Sequence, residues 1–340
     1  MIGYYVHHVG AGHLNRARAV AAAMARRGGP PVTGLSSLAA PSDWPGPWLR
    51  LDRDDAELDP VDPTARGRLH WAPDGDSGLR ARMAAISAWL ETEHPDVLVS
   101  DVSVEVTLLA RLHGVRVVSV VLPGDRGDGP HRTGHAVSSG LVACWPRQAT
   151  GMVRGLAAAE RDRMRHVGGL SRLPVHDRPA EPLRRTVLVL SGRGGGHASA
   201  DLLEAAESDA AQWRWRVLGG TGEWVDDPTA AMDEADVVVI QAGESAVADV
   251  AACRRPAIVV PAARPYDEQV ATAHALARGP WPCRVLPALG PTGWAPMLDE
   301  VAALDGRGWR SWCDGDAADR FAEHVASFAR RSTRTAVRSA

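Results

Sequence analysis

Short, almost wholly apolar runs alternate with longer amphipathic ones along this chain, and that alternation leaves few folds open. A strand buried on both faces reads as a continuous apolar run, whereas a helix covering a sheet carries only an apolar stripe. The pattern therefore specifies α/β architecture, with strand–helix units feeding a parallel sheet covered on both sides. It occurs twice. In the first half, strands are expected at 2–6, 31–35, 97–100, 115–122 and 141–144, with helices at 14–26, 79–93 and 104–113. In the second half, strands are expected at 186–190, 213–218, 237–240, 257–260 and 284–286, with a final helix near 317–330.

Between the two halves, "HVGGLSRLPVHDRPAEPLRR" (166–185) mixes prolines, glycines and charges without periodicity, as an interdomain linker does. With 340 residues the chain suits two domains better than one core. The expected organisation is a first doubly wound domain over 1–167, a linker over 168–185 and a second such domain over 186–314. A helix at about 315–331 is expected to fold back on the first domain. Two loops exceed the usual length of αβ connections, 41–78 and 123–137. The first carries Trp44, Trp48 and Trp71, for which packing is the commoner role and stacking on a sugar or acceptor the alternative.

Composition removes several function classes. A formal net charge of -3 offers no basic field for nucleic acid, so none is expected as a partner. Every basic residue other than histidine is arginine, which excludes a Schiff-base lysine and the lysine of a phosphate-binding loop. Cys144, Cys253, Cys283 and Cys313 are too scattered for a zinc site or a disulfide frame, so no metal is expected and the thiols read as reduced. With no signal segment and no long apolar run, the expected address is the cytoplasm. The arginine-rich stretch "ARRSTRTAVRSA" reads as a solvated terminus, with weak peripheral contact to anionic lipid as the alternative.

In an open parallel sheet, ligands gather beyond the carboxyl ends of the strands. Three motifs fall there. In "VGAGHLNRARAVAAAM", the glycines Gly10 and Gly12 turn the backbone before a helix expected from Leu14, which leaves His13 facing the cleft. An imidazole can take a proton from a hydroxyl near neutral pH, and a carboxylate can hold it in one tautomer. Asp101, ending the apolar run of "PDVLVSDVSVE", projects from the same sheet edge; its competing role is to cap the following helix, which Ser103 can also do. The second motif, "VLVLSGRGGGHASADLL", sets Gly192, Gly194, Gly195 and Gly196 between a strand and a helix, where backbone N–H groups can approach a diphosphate and Arg193 can add charge. The third, "IQAGESAVADVAACRRPAIVVPAARPYDEQ", brings Gln241, Gly243, Glu244, Ser245, Asp249, Glu268 and Gln269 to strand ends or the helices behind them. Carboxylates there suit ribose and sugar hydroxyls, and equally suit caps and turns.

"GHLNRARAVA" and this third segment resemble the GT-B nucleotide-sugar glycosyltransferases, among them the UDP-N-acetylglucosamine transferase of lipid II synthesis and the natural-product UDP-sugar transferases. The resemblance implies two Rossmann-like domains facing a cleft, with a small-molecule or lipid-linked hydroxyl acceptor on the first and a UDP- or dTDP-sugar on the second. It implies inversion without a metal or other cofactor, with His13 as base and Asp101 supporting it. Asp249 stands where the family has a ribose-binding glutamate, and Glu268 with Gln269 where plant-type members have Asp-Gln at the sugar. Both departures leave the donor open. A nucleotide-sugar hydrolase of the pseudaminic-acid type is the rival, matched by Gly12, His13 and Arg16. A nicotinamide-dependent oxidoreductase finds only two of three glycines in "GAGHLNR", and a non-catalytic sugar-nucleotide sensor is the remaining alternative.

Overall fold

The computed structural model describes residues 1–55, 59–177, 183–192 and 198–336, with the side chains of 330–336 excepted. Its first half contains β1 (Ile2–Tyr5), α1 (Ala11–Arg26), β2 (Val32–Ser36), β3 (Trp48–Arg50), α2 (Ser77–Glu93), β4 (Val97–Asp101), α3 (Val104–Leu112) and β5 (Arg116–Val121). There follow β6 (Gly124–Asp125), α4 (Gly129–Val137), β7 (Gly140–Ala143), β8 (Val153–Arg154), α5 (Ala158–Arg163) and β9 (Met164–His166). The second half runs β10 (Thr186–Leu190), α6 (Ala200–Asp209), β11 (Arg214–Leu218), α7 (Thr229–Glu234), β12 (Val237–Gln241), α8 (Glu244–Ala252) and β13 (Ala257–Val260). It ends with α9 (Glu268–Arg278), β14 (Cys283–Val285), α10 (Trp294–Ala302) and α11 (Ala317–Ala336).

The first sheet has the order β3-β2-β1-β4-β5-β7-β9 and the second β11-β10-β12-β13-β14, and every pairing within them is parallel. In each, the strand order reverses once, between β1 and β4 and between β10 and β12. Those reversals are where crevices open beyond the strand ends.

Side chains alternate between the two faces of each sheet. Ile2, Tyr4, Val97 and Val99 face α1 on one side, while Tyr5 and Leu98 meet Ile86 and Leu90 of α2 on the other. The chain's last helix joins the first sheet: Phe321, Ala322 and Val325 of α11 are wholly buried in the core that α1 covers. A third cluster runs from Leu141 and Trp145 of the first half to Val238, Ile240 and Val250 of the second, so the two halves share continuous apolar packing. Trp281, Trp309 and Trp312 are buried in that cluster, with Trp281 and Trp312 edge-on at 4.8 Å.

Three elements, β3, β6 and α4, lie inside stretches expected to be loops. β3 is only three residues long and pairs at the sheet edge with β2, too short to show a period. α4 carries Gly129, Pro130 and Gly134, so intrinsic propensity argues against it. It forms because the Asp128 carboxylate caps its start, accepting from His131 N at 2.7 Å, and because Pro130 suits a first turn. Among the described residues, no helix is long and apolar enough to cross a membrane.

Candidate active site

The strands that flank the first reversal, β1 and β4, deliver the two side chains singled out at the first sheet's edge. α1 begins at Ala11, three residues before the expected start, so His13 stands in its first turn rather than in the loop ahead of it. Gly10 makes the turn at φ +89°, a conformation that side chains other than glycine rarely adopt, and no side chain caps the helix. A Cβ on Gly12 would lie 3.1 Å from Ser245 Oγ, so the start of α1 abuts the start of α8 across the domain boundary.

Asp101 closes β4 with no solvent exposure. Its Oδ1 is 2.9 Å from His13 Nδ1, both its oxygens accept from Arg16 Nη1 at 2.8 and 2.9 Å, and the Tyr4 hydroxyl donates to Oδ2 at 3.4 Å. Burial pushes the carboxyl up, but Arg16 and His13 outweigh burial and hold it at about 2. It is therefore an ionised acceptor, which assigns the proton to His13 Nδ1 and leaves Nε2 as the basic nitrogen. The capping role falls to Ser103, whose hydroxyl accepts from Val106 N at 3.2 Å. Between them Val102 sits at φ +70°, a strained conformation for a β-branched residue and one that concentrates at functional sites.

Arg16, one turn along α1 from His13, also reaches across the cleft, where its Nη2 donates to Glu244 Oε1 at 2.8 Å. The other Glu244 oxygen is buried without a partner, and burial raises the pKa of the group. In sequence Arg16 carried weight only as part of a hydrolase-like segment; its spacing from His13 is the signal that places both on one helix face.

The donor-side residues divide. Gln241 ends β12 and lines a cavity of about 70 Å³ with Ser191, Ala198, Val260 and Ala262, beyond the ends of β10, β12 and β13. Space around Gly192 is open, while Arg193, Gly194, Gly195 and Gly196 lie outside the described residues. Gly243 precedes α8, and Glu244 at its start is engaged by Arg16. The buried Asp249 accepts from the Ser171 hydroxyl at 2.7 Å and from Arg172 N and Nε at 3.2 Å each, so its carboxylate ties α8 to the linker. Glu268 accepts from Arg126 Nη2 at 2.6 Å across the cleft, and buried Gln269 accepts from Ala262 N at 2.8 Å, which fixes the loop after β13. Arg126 also lies 4.7 Å over the ring of Tyr266, and Tyr266 and Asp267 both adopt positive φ, at 60° and 57°.

Beside His13, a cavity of about 260 Å³ opens among Tyr5, His7, His8, Asp54, Trp71 and Met83. The His7 ring is 5.6 Å from that of His13. Trp71 is thus the loop tryptophan that lines this cavity. Trp44 and Trp48 instead pack edge-on at 4.9 Å with their indole N–H groups on backbone carbonyls. Among the described residues, two groups of side chains have metal-ligand character, His70 with Asp128 and His131, and His8 with Asp54 and Asp55. In the first, both imidazoles hydrogen-bond to Asp128; in the second, arginines pair with both carboxylates.

Burial holds His7, His131 and His324 down at about 4 and His135 at about 3. An unfolded chain takes up protons near pH 6.5 that these folded imidazoles refuse. Their contribution to stability is therefore complete above about pH 6.5 and is lost as pH falls toward about 4. Thermal melting across that window is expected to show a steadily falling Tm; a Tm flat down to about pH 4 would contradict these environments.

The family model for the glycosyltransferase family 28 C-terminal domain matches residues 218–278. No curated protein matches the sequence. Among solved structures, MurG of Acinetobacter baumannii is similar over 96% of this chain and 99% of its own, at 16% identity and a TM-score of 0.64. UGT89C1 of Arabidopsis thaliana, solved with quercetin, covers the same shares at 13% identity and a TM-score of 0.65. SnogD of Streptomyces nogalater matches over 100% and 99% at 13% identity and a TM-score of 0.56. The chain thus has the GT-B fold, and 218–278 are similar to the C-terminal domain of glycosyltransferase family 28.

Proposed function

We propose that this chain is a cytoplasmic, inverting glycosyltransferase. It moves a sugar from a nucleoside diphosphate sugar, with UDP or dTDP as nucleotide, to a hydroxyl acceptor without a metal cofactor. The observation that carries the reading is the His13–Asp101 pair at the first sheet's reversal, with the His13 ring 5.6 Å from His7 of the cavity on its own domain and the start of its helix against the start of α8 on the second. In this reading His13 Nε2 removes the acceptor's hydroxyl proton as that oxygen bonds to the anomeric carbon. The carbon–diphosphate bond breaks with its electron pair, the nucleoside diphosphate leaves, and the buried Asp101 carboxylate stabilises the imidazolium. Gln241 faces the nucleotide side, Glu268 offers a carboxylate to sugar hydroxyls once it exchanges Arg126 for substrate, and half-buried Arg264, whose Nη2 donates to Gln241 Oε1 at 3.4 Å, places a cation on the same side. Gly192 to Gly196, with Arg193 among them, complete the proposed diphosphate site.

The test is release of free nucleoside diphosphate from UDP-, dTDP- and GDP-sugars, with and without a mixed extract of hydroxylated small molecules. Release that requires the extract is expected. Release from donor alone would replace transfer by hydrolysis, and donor binding without release in any mixture would leave a sensor.

A further inference from the structure

The cavity beside His13 has a chemical bias of its own. Its N–H and hydroxyl donors are largely committed inside the protein: Trp71 Nε1 to Asp54 O at 2.6 Å, the Ser103 hydroxyl to Glu105 at 3.1 Å, and His8 Nε2 to Asp55 at 3.1 Å. The Tyr5 hydroxyl and His7 Nε2 remain as donors. Acceptors are in excess. Three carboxylates line the cavity, Asp54, Asp55 and Glu105, against two arginines that pair with them, Arg82 on Asp54 at 3.0 Å and Arg53 on Asp55 at 2.8 and 2.6 Å. Glu105 is held instead by the backbone N–H groups of His70 and Trp71 at 2.8 and 3.1 Å, and so keeps an uncancelled charge.

A second observation is independent of the acids. His8 lines the same cavity; its side chain is 5% exposed, and its Nδ1 is buried without a partner. With a proton on Nε2 toward the Asp55 carboxylate, Nδ1 carries the ring's lone pair, and a buried lone pair left empty is costly. His7 contributes no compensating charge, since burial and its neighbours His13 and His8 hold it at about 4. Val9, Met83 and Trp71 supply apolar wall.

We infer that the hydroxyl-bearing acceptor is a compact apolar amine, whose ammonium group donates to His8 Nδ1 and the Asp55 and Glu105 carboxylates while its ring lies on Trp71 and Met83. A phosphate or carboxylate on the acceptor would meet like charge here. That the occupant is an acceptor rests on the transferase reading; the charge preference of the cavity does not.

The full chain is titrated by ligand-observed NMR with three probes of one shape, 2-phenylethylamine, 2-phenylethanol and phenylacetate. The amine is expected to bind at least about ten-fold tighter than the alcohol, with the acid weakest. Asp55→Asn combined with Glu105→Gln, in which glutamine still offers an oxygen to the two backbone N–H groups, is expected to abolish the preference while retaining alcohol binding. Equal or tighter binding of the alcohol or acid, no binding of any probe up to its solubility limit, or a preference that survives the double variant would overturn the inference. The transferase reading fails separately, through the absence of nucleotide release, and an amine preference would survive that failure.

Discussion

Replacement of His13 by alanine is expected to lower kcat for nucleotide release by about 10²- to 10⁴-fold and to leave the donor KM within a few-fold of wild type. The split follows from where the side chain stands. Its Nδ1 is spent on Asp101 at 2.9 Å, its Nε2 is the nitrogen that the proposed mechanism uses, and it does not line the cavity at the second sheet's strand ends, so removing it takes away a proton acceptor and little of the surface that would hold a nucleotide. Asp101→Asn approaches the same loss by another route, because an amide N–H turned toward Nδ1 selects the tautomer with the proton on Nε2, where the lone pair is needed. A His13→Ala enzyme within about ten-fold of wild type would remove the imidazole from the chemistry. The same variant losing donor affinity instead of kcat would make His13 a binding group.

The fold was legible where burial dictates composition. β10 and β13 have the bounds expected from their apolar runs, β1, β11 and β12 differ by a residue at one end, and β14 is shifted by one residue. Parallel strands covered on both faces must be apolar at nearly every position, so their runs stand out from anything around them. β3 and α4 lack such a mark. β3 takes its place from one edge pairing, and α4 from a cap and from packing, neither of which leaves a period in the sequence.

At the site, the approach of His13 to Asp101 was readable because one begins the helix after β1 and the other ends β4, and topology alone brings the ends of those strands together. Partners supplied by the other domain were not. Glu244 meets Arg16 across 228 residues of chain, and Glu268 meets Arg126 across 142. Asp249 shows the same limit: its position on α8 suggested a ribose ligand, while the contacts of its carboxylate are to Ser171 and Arg172 of the linker, whose path no periodicity foretells.

Arg16→Met is expected to cost about 3–5 kcal/mol of stability at neutral pH, whereas Arg18→Met, which breaks an exposed pair with Asp43, is expected to cost about 1 kcal/mol or less. The contrast is one of dielectric. Arg18 and Asp43 are 43% and 56% exposed, so water replaces either partner. Arg16 instead neutralises two carboxylates withdrawn from water, Asp101 at 0% and Glu244 at 13% exposure, and methionine fills its volume without its charge. The pH dependence distinguishes this cause from lost packing. In the wild type the Asp101 carboxyl is held near 2, below its unfolded value, so its contribution is complete above about pH 4 and is lost as pH falls toward 2. Without Arg16, burial dominates and moves the Asp101 and Glu244 carboxyls upward; each then prefers its proton, and folding becomes less unfavourable as acid supplies one. The difference in unfolding free energy between variant and wild type is therefore expected to shrink between pH 7 and about pH 4.5, the buried histidines cancelling because both proteins carry them. Denaturant titrations at the two pH values measure it. A constant difference would assign the loss to packing, and a loss below about 1 kcal/mol would mean that Arg16 does not hold these carboxylates in their charged state.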